Sequence, residues 1–269
     1  MRVIKILLLL ALVLTTLLFG VTGIRVMMSD SDYGPSIACD TDLLEVSVTA
    51  EESQLLAGVT AWDAQDGDLT DQILIQGISK LVDSNTTKIT YIVFDRHGNL
   101  ASVSRNLRFV DYHAPRFSVT APLQYVSGAS MLLLDRLQVM DQLDGDITDK
   151  VRVSSMNSLG EPELYGVDLL VTNSLGDTAR VTLPVVVTTG DASRPVVRLR
   201  EYLVYLSVGS SFDPNWYLES VTSMGDAMTV ADVVITGGVD TNTPGTYMVC
   251  YRCRDDFGTG LAVLTVIVE

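Results

Sequence analysis

Beyond residue 28 the hydrophobic and polar positions alternate with a period of two, and nowhere there does a 3.6-residue period persist. Tyr247, Val249, Tyr251 and Cys253 alternate with Met248, Cys250 and Arg252, giving one apolar face and one mixed face. Ile89, Tyr91 and Val93 follow the same pattern, as do Tyr165, Val167, Leu169 and Val171. Each run leads into a turn containing glycine: Asp95 to Asn99, Asn173 to Asp177, and Asp255 to Thr259. A second alternating run follows, such as Leu261, Val263, Thr265 and Ile267. This pattern predicts β-hairpins in which Gly98, Gly176 and Gly258 supply the positive φ that the turns need. Apolar stretches at 196–199 and 202–208 predict further strands. About seven short strands per stretch of roughly 80 residues read as a small antiparallel β-sandwich.

The chain repeats. Asp63-Ala64-Gln65-Asp66-Gly67-Asp68-Leu69-Thr70-Asp71 returns 78 positions later as Asp141-Gln142-Leu143-Asp144-Gly145-Asp146-Ile147-Thr148-Asp149. The same offset carries Gly98 onto Gly176. Pro35, Pro115 and Pro195 lie 80 apart, each after a short polar stretch that reads as a linker. The expected division is therefore residues 1–28, then three tandem sandwich domains at 35–110, 115–189 and 195–269.

Composition narrows the partners. Beyond Met28 the chain holds 15 basic and 33 acidic residues, a formal charge of −18. Such a field repels phosphate backbones, which argues against nucleic acid as a partner. Three cysteines, Cys39, Cys250 and Cys253, are too few for a disulfide framework. Cys250 and Cys253 stand three apart on a predicted strand, so they point to opposite faces and suit neither chelation nor a mutual bridge. Cys253 is expected inside as a small apolar residue.

Arg2 and Lys5 precede an uncharged run from Ile6 to Ile24. At ~1.5 Å per residue it would span roughly 28 Å of bilayer as a helix. An uncleaved signal anchor, forming an N-terminal transmembrane helix, and a signal peptide cleaved after Gly23 both fit. The run is longer than an ordinary signal core, which favours the anchor. Basic residues before it, with Asp30 and Asp32 after it, put the N-terminus in the cytoplasm and the domains outside.

Two blocks carry a family resemblance. One is Ala61 to Thr70 followed by Val93-Phe94-Asp95-Arg96-His97-Gly98-Asn99. The other is Gly237 to Tyr247 followed by Asp255-Asp256-Phe257-Gly258. In them the chain resembles the bacterial Ig-like repeats of cell-surface proteins and of some pesticidal crystal proteins. The last repeat departs from the pattern, offering Ser223-Met224-Gly225-Asp226-Ala227-Met228-Thr229 in place of the acidic block. The resemblance implies three tandem Ig-like sandwiches serving as a spacer or binding module. It implies no activity.

Asp63, Asp66, Asp68 and Asp71 admit two readings. Clustered carboxylates bind calcium, which takes six to eight oxygen ligands. If the block lies between successive strands, Asp95 joins Asp63, Asp66 and Asp68 around one ion, and Asn173 joins Asp141, Asp144 and Asp146 around another. Alternatively the carboxylates accept backbone N–H groups and shape the loop, with Gly67 and Gly145 at positive φ and Thr70 and Thr148 beginning the next strand. The last repeat keeps its strands without the carboxylates, so the fold itself needs no ion there. Neither His97 nor His113 belongs to a recognisable catalytic set, and no cofactor is implied beyond the calcium alternative. Trp62 and Trp216 are expected to pack against the body of their domains rather than to stack on sugar. The whole predicts a non-enzymatic, extracytoplasmic stalk or adhesion module whose ligand is an extracellular protein or polysaccharide. The alternatives are a secreted binding module and a calcium-stiffened rod.

Overall fold

The computed structural model describes residues 34–269, apart from Ser84 and Ala192, together with Thr15. The run from Ile6 to Ile24, expected to be an anchor or signal peptide, lies outside the described residues but for Thr15. No helix of the described residues is long and apolar enough to cross a membrane. The chain forms two compact units, one ending at Tyr112 and the other running from His113 to Glu269.

In the first unit β1 (Ser36–Cys39), β3 (Val59–Asp63) and β4 (Gly67–Asp68) form a small sheet in the order β1-β3-β4. Facing it are β2 (Leu43–Val46), β5 (Leu74–Ile78), β6 (Thr86–Phe94) and β7 (Leu100–Phe109), in the order β2-β7-β6-β5. The period-two pattern decides what is inside. Val59 and Ala61 face inward from β3, and Ile89, Tyr91, Val93 and Leu107 from β6 and β7. Burying each of the larger aliphatic side chains contributes roughly 1.5–3 kcal/mol relative to exposure. A one-turn helix, α1 (Glu52–Leu55), links β2 to β3. At its start the Gln54 side chain accepts the Glu51 N–H at 3.0 Å.

The second unit holds two such sandwiches. In its first half the small sheet is β8 (Arg116–Val119), β10 (Leu137–Asp141) and β11 (Gly145–Asp146), in the order β11-β10-β8. The large sheet is β9 (Gln124–Val126), β12 (Arg152–Ser158), β13 (Leu164–Thr172) and β14 (Thr178–Thr188), in the order β12-β13-β14-β9. In its second half β15 (Val196–Leu199), β17 (Leu218–Ser223) and β18 (Asp226–Ala227) form the small sheet. β16 (Leu203–Leu206), β21 (Gly258–Val268), β20 (Gly245–Asp255) and β19 (Val233–Thr236) form the large one in that order. A helical turn, α2 (Pro214–Tyr217), precedes β17, with Asp213 accepting the Asn215 N–H at its start.

The all-β architecture matches expectation, with two corrections. Each large sheet has one parallel edge pair, β2 with β7, β9 with β14 and β16 with β21, so the sheets are mixed rather than purely antiparallel. Thr70 and Thr148 do not begin strands. They open single turns of 3₁₀ helix, Thr70–Gln72 and Thr148–Lys150, because Asp68 Oδ1 and Asp146 Oδ1 accept their N–H groups and hold the chain in a turn.

The two sandwiches of the second unit share a packed junction. Leu164 and Val186 from one and Val263 from the other form a buried cluster, with Leu159, Met248, Cys250 and Leu261 against it. The Phe117 N–H donates to the Tyr205 hydroxyl at 3.1 Å, and Gln124 Nε2 to the Leu261 carbonyl at 2.9 Å. Ion pairs Arg194–Glu163, Arg252–Glu161 and Arg116–Glu269 ring the contact. Cys250 therefore sits in the junction while Cys253 is fully buried in the last core, on opposite faces of β20. All three cysteines are free.

Candidate functional site

The acidic blocks form the β3–β4 and β10–β11 hairpin loops. Asp63 pairs with Gly67 across the first and Asp141 with Gly145 across the second. The glycines, at φ 80° and 72°, occupy the left-handed region that a side chain would disfavour. Asp63 Oδ1 accepts the N–H groups of Gln65 and Asp66 at 2.8 and 2.9 Å. Asp141 Oδ1 accepts those of Leu143 and Asp144 at 3.0 and 2.9 Å. Each is an Asx turn that ties the loop to the end of its own strand.

The second acid of each block reaches the neighbouring hairpin. Asp66 Oδ2 accepts the Arg96 N–H at 2.8 Å, and its other oxygen pairs with the Arg96 guanidinium. Asp144 Oδ2 accepts the Ser174 N–H, also at 2.8 Å, and Oδ1 the Ser174 hydroxyl at 2.6 Å, with Lys150 Nζ at 2.9 Å. Asp95 Oδ1 accepts the N–H groups of His97 and Asn99, both at 2.8 Å, and Oδ2 the Asn99 side-chain amide at 2.7 Å. Asn173 Oδ1 takes the Asp177 N–H at 2.9 Å, and its amide nitrogen donates to Asp141 Oδ2 at 3.1 Å. Asp68 and Asp146 face outward, and Asp71 is exposed.

These bonds set the electrostatics. Bonds from Thr70 and Thr148 hold Asp68 and Asp146 below the ordinary aspartate pKa. Burial works to raise Asp95 and Asp144, but bonds from Asn99 and His97 to the first, and from Ser174 and Lys150 to the second, bring both below it. The carboxylates thus spend most of their oxygens on loop donors. Among the described residues no three His, Cys, Asp or Glu side chains gather in a metal-holding group. The structure brings Asp63, Asp66 and Asp95 to one end of the first sandwich, and Asp141, Asp144 and Asn173 to the equivalent end of the middle one.

The last sandwich supplies a residue that sequence comparison missed. Ser223 pairs with Asp226 across a two-residue turn, Met224 and Gly225, with φ 50° and 95°. Positive φ at both central residues is the mirror-image turn that matches the twist of a hairpin. The loop is one residue shorter than in the other repeats, so Ser223 takes the place of Asp63 and Asp141. Its hydroxyl donates to Asp255 Oδ2, while Asp255 Oδ1 accepts the N–H groups of Phe257 and Gly258 at 2.8 and 3.0 Å.

Of the remaining candidates, His113 Nδ1 lies 2.9 Å from the Ala114 carbonyl and the His97 side chain is exposed in the β6–β7 turn. The tryptophans overturn the expectation of packing. Trp62 is 57% and Trp216 59% exposed. Trp62 stands on the outer face of the small sheet between Ser36 and Asp68, with Thr60 and Thr70 beside it. Trp216 lies edge-on to Tyr217, and the Arg200 guanidinium is 5.9 Å from its ring centre.

Residues 201–267 match the family model of the bacterial surface protein Ig-like domain. The chain is also similar to the pesticidal crystal protein Cry22Aa of Bacillus thuringiensis, 32% identical over 127 residues, covering 45% of this chain and 17% of that protein. An 81.3 kDa protein of Acholeplasma phage L2 is 28% identical over 142 residues, covering 51% of this chain and 19% of that one. The chain therefore spans less than a fifth of either relative. Among solved structures it is similar to Drosophila N-cadherin EC1-3, at 13% identity and a TM-score of 0.27, over 74% of this chain and 88% of that one. It is also similar to the CBM51-2 and INT domains of Clostridium perfringens ZmpB, at 13% identity and a TM-score of 0.23, over 87% and 42%.

Proposed function

We propose that this chain is a non-enzymatic surface protein. The run from Ile6 to Ile24 holds it in the membrane with the N-terminus inside, and its Ig-like sandwiches project outward as a stalk or adhesion module. What supports this is the match of residues 201–267 to a surface Ig-like family, on a chain whose described residues are all-β apart from short helical turns. The packed junction of the second unit suits a stalk, because a buried apolar seam ringed by ion pairs resists hinging better than a free linker does. Protease treatment of intact cells tests the assignment. Digestion of residues 29–269 with the membrane unbroken is the expected result, and full protection would overturn it. Mature protein that begins after Gly23 would turn the anchor into a cleaved signal.

A polysaccharide ligand has one observation in its favour. Trp62 presents an exposed ring face flanked by the hydroxyl-bearing Ser36, Thr60 and Thr70 and by the Asp68 carboxylate. A flat apolar ring beside hydrogen-bonding groups suits a sugar. On a glycan array, Trp62→Ala would abolish retention while leaving the fold unchanged. Binding that survives this substitution would remove Trp62 from the site.

A further inference from the structure

The loop ends of the three sandwiches pose one problem and solve it differently. One position closes the small-sheet strand: Asp63, Asp141 or Ser223. The other opens the turn of the long hairpin: Asp95, Asn173 or Asp255. In the middle sandwich Asn173 Nδ2 donates to Asp141 Oδ2, and in the last the Ser223 hydroxyl donates to Asp255 Oδ2. Both are one carboxylate against one neutral donor. The first sandwich has a carboxylate at each position.

Part of the surrounding frame is shared. Asp66 and Asp144 grip the neighbouring turn through N–H bonds of equal length, and Asp63 and Asp141 each cap the same two loop N–H groups. By these equivalences Asp63 and Asp95 hold the places that Asp141 and Asn173 hold in the middle sandwich. Asp63 is 2% and Asp95 7% exposed. Asp63 Oδ2 is buried and has no hydrogen-bond partner, whereas its counterpart Asp141 Oδ2 receives the Asn173 amide. A buried carboxylate oxygen left in this way calls for a positive partner.

We infer that Asp63 and Asp95 bind a hard divalent cation of the calcium class, at the place where Asn173 and Ser223 supply a hydrogen-bond donor in the other sandwiches. Carboxylate oxygens are the ligands such a cation prefers, with water completing its shell. Asp66 is committed to Arg96, and Asp68 points to solvent with its oxygen on the Thr70 N–H, so the pair alone forms the protein's share of the site. Two observations favour a cation over a shared proton. Asp95 accepts three N–H bonds and Asp63 Oδ1 accepts two, the arrangement that stabilises ionised carboxylates. The site is independent of whether the chain sits on a cell surface.

Calcium titration of the full chain by isothermal calorimetry, with thermal unfolding alongside, decides the matter. The expected result is one site per chain and a first-unit transition raised by about 5 °C or more at calcium a hundredfold above its Kd. Asp95→Asn copies the middle sandwich and Asp63→Ser copies the last, so either abolishes binding and removes the shift. Should one of them fail to fold, the other carries the test. The converse substitution, Asn173→Asp, installs a second site. Absence of binding at millimolar calcium overturns the proposal, as does binding that persists in a folded Asp95→Asn or Asp63→Ser protein. If calcium has no effect but the first-unit transition falls as pH rises, and Asp95→Asn removes that dependence, the pair holds a proton and the cation site is refuted.

Discussion

The first and middle sandwiches run in the same register for much of their length, yet their cores are made of different chemistry. Tyr91 and Arg105 in the first become Leu169 and Leu183 in the middle, each 78 positions on. The register is preserved: Arg105 pairs with Ile89 as Leu183 pairs with Val167. Arg105 is 3% exposed. Its Nε donates to the Tyr91 hydroxyl at 3.0 Å, and its terminal nitrogen to the carbonyls of Ala57 and Leu55 at 2.6 and 3.2 Å. The Tyr91 hydroxyl also donates to Leu55 O, at the end of α1. The last sandwich does the same with one residue fewer, since the Tyr251 hydroxyl donates to Pro214 O at the start of α2. In the middle sandwich, where both positions are leucine, the segment before the small-sheet strand holds a 3₁₀ turn, Leu134–Arg136, instead of an α-helical one. The lesson is that a tyrosine at this position of the large sheet accompanies an α-helical turn whose carbonyl it satisfies, whereas in the middle sandwich Tyr125 of β9 donates instead to the Leu132 carbonyl ahead of the 3₁₀ turn.

The strongest way to break this comparison is to remove the buried guanidinium. Arg105→Ala leaves the Ala57 carbonyl without its donor and the Leu55 carbonyl with the Tyr91 hydroxyl alone, and the expected loss is about 2–4 kcal/mol of first-unit stability in urea unfolding. The double substitution Tyr91→Leu with Arg105→Leu rebuilds the middle core. It should cost less than the sum of its two single changes, because the polar partners leave together. Additive costs would show that the clamp is not a unit.

Gly58 gives a smaller and more local test. It corresponds to Arg136 of the middle sandwich, which donates to the Pro122 carbonyl and, at 2.9 Å, to the Gln124 carbonyl, and lies over Tyr125. Gly58 instead has φ 73°, and a Cβ there would fall 2.2 Å from the Asp40 carboxylate. Asp40 in turn approaches Arg105 at 3.5 Å. Gly58→Ala should therefore destabilise the first unit by about 2 kcal/mol, from backbone strain plus displacement of Asp40. Arg136→Ala in the middle sandwich should lose only its two carbonyl bonds and its contact with the ring. Equal sensitivity at the two sites would mean that the steric argument at Gly58 is wrong.

Much of this was legible in the sequence and some was not, for separable reasons. The inward faces of β6, β13 and β20 follow from alternation, because side chains on a strand change face at every residue. Strand direction does not follow, since period two is the same for parallel and antiparallel neighbours, and the three parallel edge pairs were therefore invisible. Parity did contain the position of Trp62: Val59, Ala61 and Asp63 face inward, which sends Trp62 out. Its size suggested burial, and parity should have prevailed. Parity also marks Arg105 as inward, in step with Leu107 and Phe109, although its charge disguised it. Ser223 escaped because the last loop is one residue shorter, which breaks the fixed offset that links the first two blocks.

The smallest expected effect separates the acidic loops from the cores. Asp95, Asp144, Asp146 and Asp255 all have folded pKa values below the ordinary 3.8, through the donors described above. A depressed carboxylate pKa contributes stability that is present above the ordinary value and is lost as pH falls through the folded value. Stability should accordingly be flat with respect to these groups near neutrality and decline below about pH 4. All three sandwiches carry such loops, so acid should weaken both compact units. In the last sandwich, Ser223→Ala removes the hydroxyl donor that contributes most to holding Asp255 down, and should move that part of the decline toward the ordinary value. Asp255 would still keep its Phe257 and Gly258 N–H donors, so the shift should be partial. Carboxyl titration by NMR checks it: an Asp255 curve unchanged in Ser223→Ala would mean that the backbone donors alone set its pKa, and that the serine merely fills the place aspartate takes in the other repeats.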